Sequence, residues 1–216
     1  MAFEAADAGA APATRSRHAL ARTLLDDHAA ALTALDAGAV EAVARLIHDC
    51  VLTNRQLMLL GNGGSCATAS HLATDLTIAA RAAGLPARVV ALHDNSALVT
   101  ALSNDIGFAE SGTVLVEATA SPGDVLLIFS GSGRSPNLVA AARAAADRGV
   151  ACVLIGSSAA PDAFPAAHRL LVPSDSYSVI ETAHAALCHV FADLFREKVG
   201  VAGALCSQWP PRPALR

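Results

Sequence analysis

The chain has 216 residues, 53% of them hydrophobic, 16% charged and 4% aromatic, with a formal net charge of −4. That is enough for one domain with an aliphatic, alanine-rich core, and it lacks the clustered Lys and Arg that nucleic-acid backbones demand. No apolar stretch reaches the ~18 residues of a membrane span, and the N-terminus has neither the positive start nor the apolar run of a signal peptide. Five scattered cysteines without a CxxC pair (Cys50, Cys66, Cys152, Cys188 and Cys206) read as reduced thiols of a cytoplasmic protein.

Residues 1–16 are rich in Ala, Pro and Gly and read as a disordered tail. Two helices are predicted from His18 to Asn54, divided near Asp36–Gly38, with Leu20, Leu24, Leu25, Leu32 and Leu35 at helical spacing. Five short apolar runs follow: QLMLLG (56–61), ARVVAL (87–92), DVLLIFS (124–130), ACVLIG (151–156) and HRLLVP (168–173). Between them lie alanine-rich helical stretches at 65–82, 96–104, 109–119 and 136–148, and a long helix closes the series at 178–198. Short apolar runs alternating with helices predict βαβ units. The expected fold is α/β, a doubly wound parallel five-stranded sheet flanked by helices, with an N-terminal helical segment. One domain over 17–200 and a C-terminal tail over 201–216, where Pro210, Pro211 and Pro213 stop any helix, complete the reading.

Two glycine–serine turns carry the chemistry. The first, GNGGS (61–65), joins the first strand to a helix whose free N–H groups and dipole favour an anion. A tight connection with a serine cap explains it equally well. A dinucleotide fold is the competitor, with Asp94 on a ribose, but Cys66 stands where a third glycine belongs. The second turn, FSGSGRSPNL (129–138), sets Ser130, Ser132 and Ser135 around Gly131 and Gly133, with Pro136 fit for the first helical position. Hydroxyls around free backbone N–H groups make a cradle for a phosphate monoester. No Walker lysine is present, so a sugar phosphate fits better than a nucleoside triphosphate.

GNGGS, HLATD, NDIGF and SGSGRS, in this order and spacing, resemble the sugar isomerase (SIS) domain, and within it the phosphoheptose isomerases. The resemblance covers residues 20–198. It implies a homotetramer with active sites near subunit interfaces, and an aldose–ketose isomerisation of sedoheptulose 7-phosphate through an enediol. It also implies that Ser65, Ser130, Ser132 and Ser135 hold the phosphate, with Gly131 standing where many members carry a hydroxyl. By the same resemblance Asn62 and Asp105 contact sugar hydroxyls beside Gly63. Asp75 takes the place of the family's catalytic glutamate, His71 that of a nearby histidine, Glu181 that of a glutamine and His189 that of the histidine on the last helix. Ser178 stands where the family has an aspartate.

His71, Asp75, Glu181 and His189 are accordingly expected to hold a divalent metal, zinc above all. Asp75, His189 and Glu181 are the expected proton-transfer groups. Asp75 is one methylene shorter than glutamate, which favours ligation for it and leaves Glu181 as the alternative base.

Taken without the resemblance, His71 and Asp75 at i and i+4 are as readily a surface pair. On the last helix, local spacing joins Glu181 to His184, whereas His189 lies about 12 Å further along the axis; His189 is preferred on the resemblance, with His184 in a supporting or packing role. His93 and Asp94 suit either the site or a turn. A non-catalytic SIS protein, binding a sugar phosphate or acting as an adaptor, is the second reading; the set Asp75, Glu181 and His189 favours the enzyme.

Overall fold

The computed structural model of the chain describes residues 16–201. The tails expected at 1–16 and 201–216 lie outside these residues except for Ser16 and Val201. Ser16 caps α1 (Arg17–Thr33), and Asp36 accepts the N–H groups of Gly38 and Ala39 to start α2 (Ala37–Leu52), so the predicted division falls at a capping residue.

Strands and helices then follow one another, with two helices between β2 and β3 and no helix between β4 and β5: β1 (Gln56–Gly61), α3 (Gly64–Ala82), β2 (Arg88–Ala91), α4 (Ser96–Asp105), α5 (Phe108–Glu117), β3 (Val125–Phe129), α6 (Pro136–Asp147), β4 (Ala151–Ser157), β5 (His168–Val172) and α7 (Tyr177–Lys198). All strand pairs are parallel, in the order β2-β1-β3-β4-β5. This is the doubly wound fold expected from the sequence.

The apolar runs are continuous because successive side chains feed opposite faces of the sheet. Leu57, Leu59, Val125, Leu127, Phe129, Val153 and Ile155 point to one face, where α2, α3 and α7 supply Ile47, Leu72, Leu76, Leu187 and Phe191. Met58, Leu60, Leu126, Ile128, Cys152 and Leu154 point to the other, under Val116 of α5 and the alanines of α6. Gly112 lets α5 and α6 touch: a Cβ there would stand 1.9 Å from the Asn137 carbonyl oxygen.

Helix α1 departs from its pattern. Leu20, Leu24 and Leu25 have helical spacing, yet all three are exposed, Leu25 by 63%. Only Ala31, with Leu32 and Leu35 beside it, packs against the start of α7.

Among the described residues the four cysteines are free thiols: Cys50, Cys152 and Cys188 buried, Cys66 half-buried. Burial pushes Cys50 up to about 11 and Cys152 and Cys188 up to about 12. No described helix is long and apolar enough to cross a membrane.

Candidate active site

In the order β2-β1-β3-β4-β5 the winding changes direction between β1 and β3, and it is beyond the carboxyl ends of such strands that open α/β sheets carry their ligand crevice. Gly61 and Phe129 are register partners, so the two glycine–serine turns leave the sheet side by side. One leads to α3, on the face covered by α2 and α7; the other leads to α6, on the opposite face.

In the first turn a Cβ on Gly61 would lie 2.6 Å from the Ser65 carbonyl oxygen, and Gly63 opens α3 at φ 56°. Only glycine permits that close approach and that left-handed conformation. Ser65 is buried in the first helical turn. Asn62 is half-buried, and its side chain exchanges two hydrogen bonds with Asn137. His93 lies 2.8 Å through Nδ1 from the Gly61 carbonyl, and burial lowers its pKa, which favours a neutral ring donating that N–H. His93 therefore has the turn role; Asp94 accepts from Ser70 of α3.

The second turn is held by its own polar groups. Ser130 Oγ accepts from Gly133 N at 3.1 Å, Ser132 Oγ accepts from Arg134 N at 3.2 Å, and Ser130 N donates to Ile155 O at 3.0 Å. Each of these hydroxyls keeps an O–H to donate. Ser135 stands at the N-cap of α6 with no capping bond, and Pro136 follows at the start of the helix. Ser157, at the end of β4, donates to the Gly131 carbonyl at 2.6 Å. A Cβ on Gly131 would sit 3.4 Å from a ring carbon of Tyr177, so that aromatic ring covers the turn. The sequence reading missed Asn137, Ser157 and Tyr177. Asn137 alone had a signal, its place beside the turn.

A third group lies along α3 and α7, which pack side by side. His71 Nε2 and His189 Nδ1 are each 3.5 Å from Asp75 Oδ2. The imidazole centroids are 4.9 Å apart in a T-shaped arrangement, and one ligand atom from each residue falls within 4.8 Å of the others. Two imidazoles and a carboxylate suit a divalent transition metal and leave a position for a ligand, so the donor set fits.

Glu181 stands apart from this group. Its carboxylate lies against Gly64, 3.0 Å from where a Cβ would be, over the positive end of α3. Asp105 ends α4 with its carboxylate accepting from Asn104, and Ser178 pairs with Ser176. His184 is fully buried against Phe129, and neither ring nitrogen has a hydrogen-bond partner. Burial takes its pKa down to about 4, opposed only by the nearby Gly156 backbone. It is a neutral packing residue, and His189 is the α7 histidine that reaches His71.

The SIS domain profile matches residues 24–157. The chain belongs to the SIS domain family. Among curated relatives, the phosphoheptose isomerase of Solidesulfovibrio magneticus is 37% identical over 157 residues, covering 72% of this chain and 76% of its own. That of Citrifermentans bemidjiense is 32% identical over 185 residues, covering 83% and 95%. Two solved phosphoheptose isomerases share the fold. The Francisella tularensis structure superposes with a TM-score of 0.76 at 23% identity, over 85% of this chain and all of that one. The Neisseria gonorrhoeae structure gives 0.73 at 25% identity over the same shares.

Proposed function

We infer that this SIS domain is a sugar-phosphate isomerase of the phosphoheptose type. It converts sedoheptulose 7-phosphate into D-glycero-D-manno-heptose 7-phosphate. Its relatives carry that name across most of their length. The observation that carries the reading is the coexistence of a serine-lined turn at the strand switch point with the His71–Asp75–His189 group.

The phosphate lies in the second turn, where Ser130, Ser132 and Ser135 donate hydroxyls and the start of α6 contributes its dipole. Ser65, Gly63 and Gly131 shape the floor of the crevice, and Asn62 and Asp105 bind sugar hydroxyls. His71, Asp75 and His189 hold a divalent metal, which we assign as zinc from its affinity for imidazole with carboxylate. Such an ion supplies a Lewis acid for a carbonyl oxygen.

The chain's own groups move the protons. A base takes a proton from C1 of the ketose while the C2 oxygen gains one, giving the 1,2-enediol; loss of the O1 proton and return of a proton to C2 give the aldose. Asp75 is engaged by both imidazoles, so Glu181, whose carboxylate lies at the head of α3, is assigned the carbon-bound proton; His189, which would ligate through Nδ1 beside Asp75, keeps its Nε2–H to hydrogen-bond the sugar oxygens. The exposed leucines of α1 and the exposed imidazoles favour a homotetramer that covers them. Free thiols are consistent with a cytoplasmic protein.

Incubation of the purified protein with sedoheptulose 7-phosphate, followed by NMR with and without chelator, tests the reading. The aldose heptose 7-phosphate is expected in the untreated sample. No conversion by metal-replete protein overturns it.

A further inference from the structure

Asn62 and Asn137 are 75 positions apart and hydrogen-bond each other in both directions. Nδ2 of Asn62 reaches Oδ1 of Asn137 at 3.0 Å, and Nδ2 of Asn137 reaches Oδ1 of Asn62 at 2.9 Å. Asn62 belongs to the first turn, and Asn137 to the opening of α6 directly after the second. The pair thus bridges the crevice at the point where the chain leaves β1 for one face of the sheet and β3 for the other.

Its two ends differ. Asn137 is 1% exposed, and its backbone is pinned by the close approach of Gly112. Asn62 is half-buried, in the turn directly beyond the carboxyl end of β1. A primary amide has two N–H donors, and the reciprocal pair uses one from each residue. Asn62 therefore keeps one N–H for a ligand, while its carbonyl oxygen is engaged by Asn137.

We propose that Asn137 is a positioning residue that acts through Asn62. The amide bridge fixes the span between the phosphate turn and the head of α3, and it orients Asn62 to donate its second N–H to a sugar oxygen. A phosphate held in one turn and a reacting carbon held beyond the other need that span constant, because small misplacements are amplified in the rate. The proposal rests on the isomerase reading.

The test is a double-mutant cycle of Asn62→Ala with Asn137→Leu, read in kcat and KM for sedoheptulose 7-phosphate and in the inhibition constant of inorganic phosphate. Asn137→Leu should lower kcat/KM by roughly ten- to a hundredfold, mostly in kcat, a loss set by hydrogen-bond strength and alignment. Phosphate inhibition should stay unchanged, because the serine turn is intact. The double variant should be no worse than Asn62→Ala alone. If Asn137→Leu fails to fold, the near-isosteric Asn137→Asp, which still accepts from Asn62 but cannot donate to it, carries the same criteria.

Unchanged kcat/KM in a folded variant, losses that multiply in the double variant, or an equal loss of phosphate affinity would each overturn the bridge. Absence of turnover in the unsubstituted chain would sink the isomerase reading alone, and the cycle is then read in sedoheptulose 7-phosphate affinity by calorimetry. No binding at all would sink both.

Discussion

The serine turn after β3 and the His71–Asp75–His189 group are built in opposite ways. The turn is fixed by its own backbone and hydroxyls, braced by Ser157 from β4, and needs nothing from outside this chain to keep its shape. The His/Asp group rests on two helix faces, with His71 and His189 side chains 49% and 62% exposed and only Asp75 sheltered at 18%. Exposed pairs of this kind hold each other weakly. On the proposed reading the phosphate end is preorganised by the fold, whereas the reacting end would take its rigidity from a bound metal ion or from the neighbouring surface of an assembly.

The comparison is broken most directly at the reacting end. His189→Ala should lower kcat by about a thousandfold, the scale of a lost group that stabilises charge on the reacting oxygens, with substrate KM nearly unchanged. Full activity of this variant after exhaustive chelation would remove the group from the mechanism. At the phosphate end, the pair Ser132→Ala and Ser135→Ala should weaken sugar-phosphate binding by about a hundredfold, since each hydroxyl loses a hydrogen bond to a charged oxygen. Calorimetry reads the affinity, and an unchanged melting temperature shows that the fold survives; undiminished affinity would place the phosphate elsewhere.

Between the two regions lies His184, buried without partners beside Phe129. Its folded pKa of about 4 is below the ordinary 6.5, so the unfolded chain binds the extra proton between those values. Stability is then fully present above about pH 6.5 and falls as the pH drops toward 4, by about 2 kcal/mol between about pH 7 and pH 5. His48 and His93 shift in the same direction and add to it. His184→Leu should flatten this part of a urea-denaturation pH profile, and an unaltered profile would refute the assignment. In metal content no change at all is expected from one further variant. Glu181→Gln should leave metal stoichiometry unchanged, because that carboxylate lies at Gly64 and outside the His/Asp group, while kcat falls. Loss of metal from this variant would bring Glu181 into the ligand set.

Much of this was legible in the residues. The strands announced themselves as short apolar runs bounded by Gly, Pro, Asp or Ser, and both turns fell at strand ends because tight βα connections need glycine and serine. Asp36 marked the α1–α2 boundary as a capping residue. Helical spacing also bore on Glu181, since eight residues separate it from His189, and its carboxylate lies against Gly64 while His189 groups with His71 and Asp75. What could not be read was anything that depends on topology. Leu24 and Leu25 have the spacing of core residues but no sheet beneath them. Asn137 has no local feature that points to Asn62; the two meet only because β1 and β3 are neighbours.

The distribution of thiols makes the molecule its own stopwatch. Cys152 lies in the layer under α5 and α6, whereas Cys50 and Cys188 lie in the layer under α2, α3 and α7. Thiolate is the reactive form, and burial suppresses it at all three sites. A thiol-modifying reagent must therefore wait for a layer to open, and the mass of each labelled peptide records which layer opened first. Half-buried Cys66, on the first turn of α3, supplies the contrast: burial raises its pKa too, but alone among the four described thiols it is not fully buried.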